Sequence, residues 1–272
     1  MSKNYFCISD DFEKIILRHI KSFDNITKIQ TGWTNFVFRV ESNKQFFYFR
    51  FPRNNFFANA LIKECEIQNY IKDKISFKTP ELNLFFDKRR PYSIHNEVEG
   101  KSLSDCYNDL SFNEKKELAN DICKLLKEFS LIKIDDSFQR VSNFLDNLSN
   151  VSKNNYDLRF HNDLKNLEEK NMFFSHGDFN PGNLILKKNK LFAVIDFSFA
   201  GRSNEFVDLS RIAARLPNDF RPLLFSDYEK IFEKKVDLKA IENLEKTWHY
   251  VEEKYVLYIK QNHPDIVLPS LV

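Results

Sequence analysis

Asp178 and Asn183 stand five residues apart in Phe173-Phe174-Ser175-His176-Gly177-Asp178-Phe179-Asn180-Pro181-Gly182-Asn183, a stretch broken by two glycines and a proline. A second acidic residue, Asp196, follows thirteen residues after Asn183. Between them Leu184 to Leu186 and Leu191 to Ile195 read as two short apolar strands around Lys188-Asn189-Lys190. Such a hairpin returns the chain to its start, so Asp196 is expected beside Asn183. An amide carbonyl and a carboxylate are hard oxygen ligands that suit Mg2+ and leave room for phosphate oxygens and water. Asp178 is then free to orient an acceptor hydroxyl and take its proton. An Asp and an Asn at this spacing, joined by a second Asp, suit phosphoryl transfer by positioning and charge neutralisation.

These residues need a frame. Phe12, Ile15, Ile16, His19, Ile20 and Phe23 recur at helical spacing, which predicts a helix over 10–23. Phe36, Phe38 and Val40 then alternate with Val37, Arg39 and Glu41, and a second aromatic strand runs from Gln45 to Phe51 beyond the turn Ser42-Asn43-Lys44. A helix is expected over 59–74, then strands near 81–86 and 92–98 around Asp87-Lys88-Arg89-Arg90-Pro91. After Gly100 the chain reads as mainly helical. Ser111 with Glu114 forms a capping box before Leu118, Ile122, Leu125, Leu126 and Phe129. Residues 137–170 are polar and rich in Asn, with helical stretches, and three further helices are expected over 204–216, 219–235 and 238–262. The expected fold is α+β and two-lobed. Residues 1–96 would form an N-lobe of antiparallel sheet with a helix, and 97–272 a mainly helical C-lobe.

His176-Gly177-Asp178, Asn183 and Ile195-Asp196-Phe197 together resemble the aminoglycoside phosphotransferase and choline/ethanolamine kinase superfamily, whose fold is protein-kinase-like. The resemblance covers nearly the whole chain. It implies that Thr31-Gly32-Trp33-Thr34-Asn35 is the nucleotide-positioning loop, with Thr34 and Asn35 either touching phosphate or serving as ordinary turn residues. It implies that Arg50 is the phosphate-contacting cation and Glu64 its partner on the following helix, with Glu66 as the fallback. Glu97-Val98-Glu99-Gly100 resembles the hinge that receives the base of the nucleotide, mostly on its backbone, so Glu97 and Glu99 belong to the nucleotide site. His176 is implied to support the loop, and Asp208 to brace it. Three departures stand out. The strand cation is Arg where many members have Lys, the loop holds Gly32 as its one glycine, and Ser203-Asn204-Glu205 replaces the family's Gly-Asp-Pro.

Composition sets the outer limits. The 272 residues carry a net charge of +2 with 29% charged and 42% hydrophobic residues, the mix of a globular protein and not of a nucleic-acid binder. No signal-peptide pattern, membrane-length apolar run or Cys-x-x-Cys pair is present. A soluble, cytoplasmic protein without nucleic-acid or membrane partners is expected. The function expected is an ATP- and Mg2+-dependent phosphotransferase acting on a hydroxyl of a small molecule, with GTP left open as the donor. The acceptor expected first is an amino alcohol such as choline or ethanolamine. The alternative is an aminoglycoside or other amino sugar, and a more remote one is a non-catalytic nucleotide-binding module. Only eleven residues separate Asp196 from Asp208, too few for the activation segment of a protein kinase. Trp248, Tyr255 and Tyr258 share a side of the last helix, either as core or as lining for the acceptor.

Overall fold

The computed structural model describes residues 10–30, 32–143, 165, 172–262 and 266. Cys7, Thr31 and most of the polar stretch 137–170 lie outside them. The chain divides into two compact units: residues 1–69, 80–97 and 256–272, and residues 70–79 with 98–255. Residues 70–79 fall with the second unit because Lys78 exchanges backbone hydrogen bonds with Phe192 and Val194.

The first unit is built on a five-stranded antiparallel sheet in the order β1-β2-β3-β5-β4. Its strands are β1 (Asn25–Ile29), β2 (Asn35–Ser42), β3 (Gln45–Pro52), β4 (Asn83–Asp87) and β5 (Arg90–Asn96). Side chains alternate across a strand. Phe49 and Phe51 of β3 therefore bury against helix α1 (Asp10–His19) together with Phe12, Ile16, Phe36, Val40 and Tyr92. Arg50, between those two aromatics, must point from the opposite face. Helix α2 (Asn55–Ile71) starts earlier than the apolar spacing predicts. The reason is Asn54, whose side-chain oxygen accepts a hydrogen bond from the Phe57 amide at 3.0 Å and so caps the first turn. Strand β1 is an element that the spacing of apolar residues did not announce.

In the second unit, β6 (Lys101–Ser102), β8 (Leu184–Lys187) and β9 (Lys190–Val194) form one small sheet, and β7 (Phe173–Ser175) pairs with β10 (Gly201–Ser203) in another. Around them lie α3 (Leu103–Cys106), α4 (Phe112–Leu131), α5 (Phe206–Arg215), α6 (Arg221–Phe232) and α7 (Leu238–Asn262), the last ending among residues grouped with the first unit. The capping box is present: Ser111 accepts from the Glu114 amide, and the Glu114 carboxylate accepts from the Ser111 amide. The α4 stripe of Leu118, Ile122, Leu125, Leu126 and Phe129 is buried. Trp248 and Tyr255 of α7 are core residues, 3% and 4% exposed, while Tyr258 is half-buried. Cys65, Cys106 and Cys123 are buried free thiols, and burial pushes that of Cys65 up to about 12.

Among the described residues, three hairpins close with both turn residues left-handed: Asn43-Lys44, Lys88-Arg89 and Lys188-Asn189. Such turns match the twist of the paired strands, but a side chain in that region costs energy. Lys44, at φ 63°, is the exposed second turn residue of the β2–β3 hairpin. Lys44→Gly creates the favoured Asn-Gly turn. It is expected to raise unfolding free energy by about 0.5–1 kcal/mol, read from urea melts at unchanged slope.

Candidate active site

The second unit holds the catalytic-loop candidates, and its fixed point is Asp208 in the first turn of α5. The Asp208 carboxylate accepts hydrogen bonds from the Ser175 hydroxyl (3.0 Å), the His176 amide (2.8 Å) and the Gly177 amide (3.0 Å). Burial pushes this carboxyl up, and those donors and the nearby His176 only partly offset it. Gly177 has φ +77°, and a Cβ there would lie 2.3 Å from the Phe199 carbonyl oxygen. Glycine is thus required twice over, by conformation and by space.

His176 is fully buried and sits between two parts of the site. Its Nδ1 accepts from the Asp178 amide at 3.3 Å, which leaves Nε2–H to donate to the Ile195 carbonyl at 2.9 Å. The ring packs on Phe197 with centroids 4.5 Å apart. His176 therefore ties the loop to the strand end that precedes Asp196.

Beyond Asp178, the Asn180 side chain accepts from the Gly182 amide at 2.9 Å and folds Pro181–Asn183 into a 3-10 turn. The Asn183 amide nitrogen donates to the Asp178 carbonyl at 2.9 Å and, at 3.4 Å, to its Oδ2. The β8–β9 hairpin pairs Leu184 with Val194, and the Ile195 amide donates to the Asn183 carbonyl at 3.0 Å. That pairing sets Asp196 next to Asn183. Asp196 has φ 63°, a left-handed backbone held by its surroundings, and its Oδ1 accepts from Ser198 at 2.6 Å. Among the described residues no cluster of three or more His, Cys, Asp or Glu could hold a metal. Asn183 Oδ1 and the Asp196 carboxylate remain a two-oxygen pair of the hard type.

Two residues that sequence reasoning missed complete the surroundings of Asp178. Arg211 of α5 donates to Asp178 Oδ1 through Nη2 at 2.8 Å and Nε at 3.2 Å. Its Nη1 pairs with Glu252 of α7, which also pairs with Arg215. The guanidinium lies 5.0 Å from the Trp248 ring centroid. Burial alone would push the Asp178 carboxyl up, but the Arg211 charge and its hydrogen bonds hold it below the ordinary carboxylate value. Burial likewise opposes the Arg211 charge, and Asp178 and Glu252 overcome it. One signal was available: Arg211 follows Asp208 by three residues on a helix, so both face the same way.

The first unit holds the remaining candidates apart from Glu99. Arg50 and Glu64 form a bidentate pair at 2.8 and 2.9 Å, with side chains 10% and 0% exposed. Glu66 is exposed, so the fallback partner is not used. The Asn35 amide nitrogen donates to Thr34 Oγ1 at 2.8 Å, and Asn35 itself is buried. Glu97 accepts from Arg39 (2.8 Å) and Tyr48 (3.1 Å), while its amide donates to the Phe46 carbonyl. Glu99, in the second unit, is an exposed ion-pair partner of Lys187.

Glu64→Ala leaves the Arg50 charge buried without its carboxylate and is expected to cost about 3–5 kcal/mol in a denaturant melt. Gly177→Ala is expected to cost about 2 kcal/mol or more, since the added methyl meets backbone and not a side chain that can swing away. A loss below half of that in urea melts shows that the loop relaxes around the methyl.

Comparison with known proteins adds the lineage. Aminoglycoside 3'-phosphotransferase of Acinetobacter baumannii is 24% identical over 180 residues, which cover 59% of this chain and 68% of that protein. The GDP and kanamycin complex of the aminoglycoside phosphotransferase APH(2")-IIIa superposes with a TM-score of 0.71 at 17% identity over 94% of each chain. Macrolide 2'-phosphotransferase MphH of Brachybacterium faecium superposes with a TM-score of 0.63 at 9% identity, over 97% of this chain and 99% of that one. These likenesses establish a kinase-like α+β fold. The profile of the Phosphotransferase enzyme family matches residues 25–242, a span that takes in Arg50, Glu64, Asp178, Asn183, Asp196 and Asp208. The chain belongs to that phosphotransferase family.

Proposed function

We propose that this member is a small-molecule kinase that moves the terminal phosphoryl group of a nucleoside triphosphate to a hydroxyl of an amino sugar of the aminoglycoside type. The observation that carries the reaction class is the convergence of Asp178, Asn183 and Asp196 through one braced loop and one hairpin. The amino-sugar acceptor is favoured over choline or ethanolamine by the relatives, which are named as aminoglycoside and macrolide phosphotransferases. Nucleotide use is supported by the GDP and ADP complexes among the solved relatives.

In this reading residues 1–96 position the nucleotide and 97–272 carry the chemistry and the acceptor. Arg50, held in place by Glu64, contacts the phosphates. Thr34 and Asn35 close the loop above them, and the 97–99 segment receives the base on its backbone. Asp178 orients the acceptor hydroxyl and takes its proton as the acceptor oxygen attacks phosphorus and the nucleoside diphosphate leaves. Asn183 and Asp196 would hold Mg2+, and the fit is good. The Asn183 amide nitrogen is committed to the Asp178 carbonyl, so its oxygen is the end left for a cation. When bound, Mg2+ supplies neutralisation of the phosphate charge. His176 and Asp208 act by holding the loop.

The test is nucleoside diphosphate release from Mg-ATP and Mg-GTP against kanamycin, gentamicin, streptomycin, a macrolide, choline and ethanolamine. Turnover is expected with an aminoglycoside. Asp178→Asn should lower kcat by roughly 10²–10⁴-fold while keeping the thermal shift given by Mg-nucleotide. Turnover with choline or ethanolamine alone overturns the acceptor. Full activity of Asp178→Asn overturns the assignment of the base.

A further inference from the structure

The two carboxylate oxygens of Asp178 are not equivalent. Oδ1 takes both bonds from the Arg211 fork, at 2.8 and 3.2 Å, whereas Oδ2 has a contact of 3.4 Å from Asn183. Two donors of one guanidinium converging on a single oxygen hold that oxygen in place and leave the other oxygen of the carboxylate to a different partner, whereas a lysine ammonium offers a point charge without a fork. Arg211 is itself held. It is 7% exposed, its third donor is on Glu252, and its face lies on Trp248. Glu252 is fixed in turn by Arg215, one helical turn beyond Arg211. The clamp therefore has no slack at either end.

We propose that Arg211 is the positioning residue of the reaction. It commits Oδ1 of Asp178 and so presents Oδ2 as the oxygen that receives the acceptor proton. Helix α7 sets the clamp through Glu252 and Trp248. The inference rests on Asp178 being the base, as proposed above. Arg211 acts through Asp178 and does not itself touch the reacting atoms. The burial of an arginine in α5, in the turn that also braces the loop, follows from this role. Asp208 fixes the backbone on one side of Asp178, and Arg211 fixes its side chain.

The experiment is a double-mutant cycle on the full chain, with the acceptor of highest turnover from the panel above and saturating Mg-nucleotide. Arg211→Met is expected to lower kcat about 100-fold with the nucleotide KM within about twofold, the signature of an interaction needed in the transition state. Arg211→Lys keeps the charge without the fork and should recover part of that loss. In an Asp178→Asn background, Arg211→Met should cost less than about twofold further, because a clamp without its base has nothing to position. Losses that multiply in the double variant overturn the inference, as does a kcat for Arg211→Met that stays within about threefold of wild type or rises. Thermal melts and the Mg-nucleotide shift show that each variant is folded. If Arg211→Met does not fold, Arg211→Lys and Glu252→Gln carry the same cycle with the same expected non-additivity. Full activity of Asp178→Asn, or no turnover with any acceptor, overturns the reading beneath and takes the clamp with it.

Discussion

One buried carboxylate organises the second unit. Asp208 receives three hydrogen bonds from consecutive residues, Ser175, His176 and Gly177, and its own helix supplies Arg211 one turn later. A buried carboxylate left without such donors would carry a desolvation cost of several kcal/mol. Its presence therefore forces the loop backbone to converge on it. Every other placement follows from that convergence. Gly177 takes the left-handed conformation the convergence requires, and the His176 ring is held where it reaches both Asp178 and Ile195. The position of Asp178 is thus a consequence of donors on the three residues just before it and of a helix about thirty residues further along.

Much of this was legible before any coordinates. The family resemblance named Arg50 and Glu64 as partners, and the two form a bidentate pair. The spacing of Asp178, Asn183 and Asp196 implied the loop and hairpin that bring them together. The elements that escaped are those too short or too weakly patterned to announce themselves. Strand β1 is a five-residue run without a buried residue, and β7 and β10 are three residues each. The early start of α2 depended on a side-chain cap and not on apolar spacing. Arg211 and Glu252 escaped for a different reason. Each is an unremarkable charge on an amphipathic helix, and only packing of α5 beside α7 turns them into one network.

Both units hold a buried arginine on carboxylates, but Glu64 offers both of its oxygens to Arg50 whereas Asp178 takes two Arg211 donors on Oδ1 alone. Replacing such pairs by apolar side chains often leaves stability unchanged or improved, so stability alone does not explain them. What they provide is direction. A fork bound on two oxygens has a fixed plane, and on the proposed reading that plane is what Arg50 needs to meet phosphate. In the first unit Glu64 fixes Arg50. In the second the order is reversed, and an arginine fixes the carboxylate.

That reversal bears on how the acceptor is read. Around Asp178 the charges alternate as Asp178, Arg211, Glu252 and Arg215, and they sum to zero. Apart from Oδ2 of Asp178, an amine on the acceptor finds no carboxylate oxygen in this group that is not on an arginine, since Glu252 is shared by two. On the proposed reading, attraction of a cationic acceptor comes from acids outside the quartet, while the quartet holds the geometry of proton removal. Recognition and chemistry are thereby separated. The acids that select an acceptor can change without disturbing Asp178, whereas a change within the quartet alters the aim of the base whatever acceptor is bound. On the proposed reading, the Asp208–Arg211 turn of α5 is where the two are kept apart, since Asp208 holds the loop backbone and Arg211 holds Asp178.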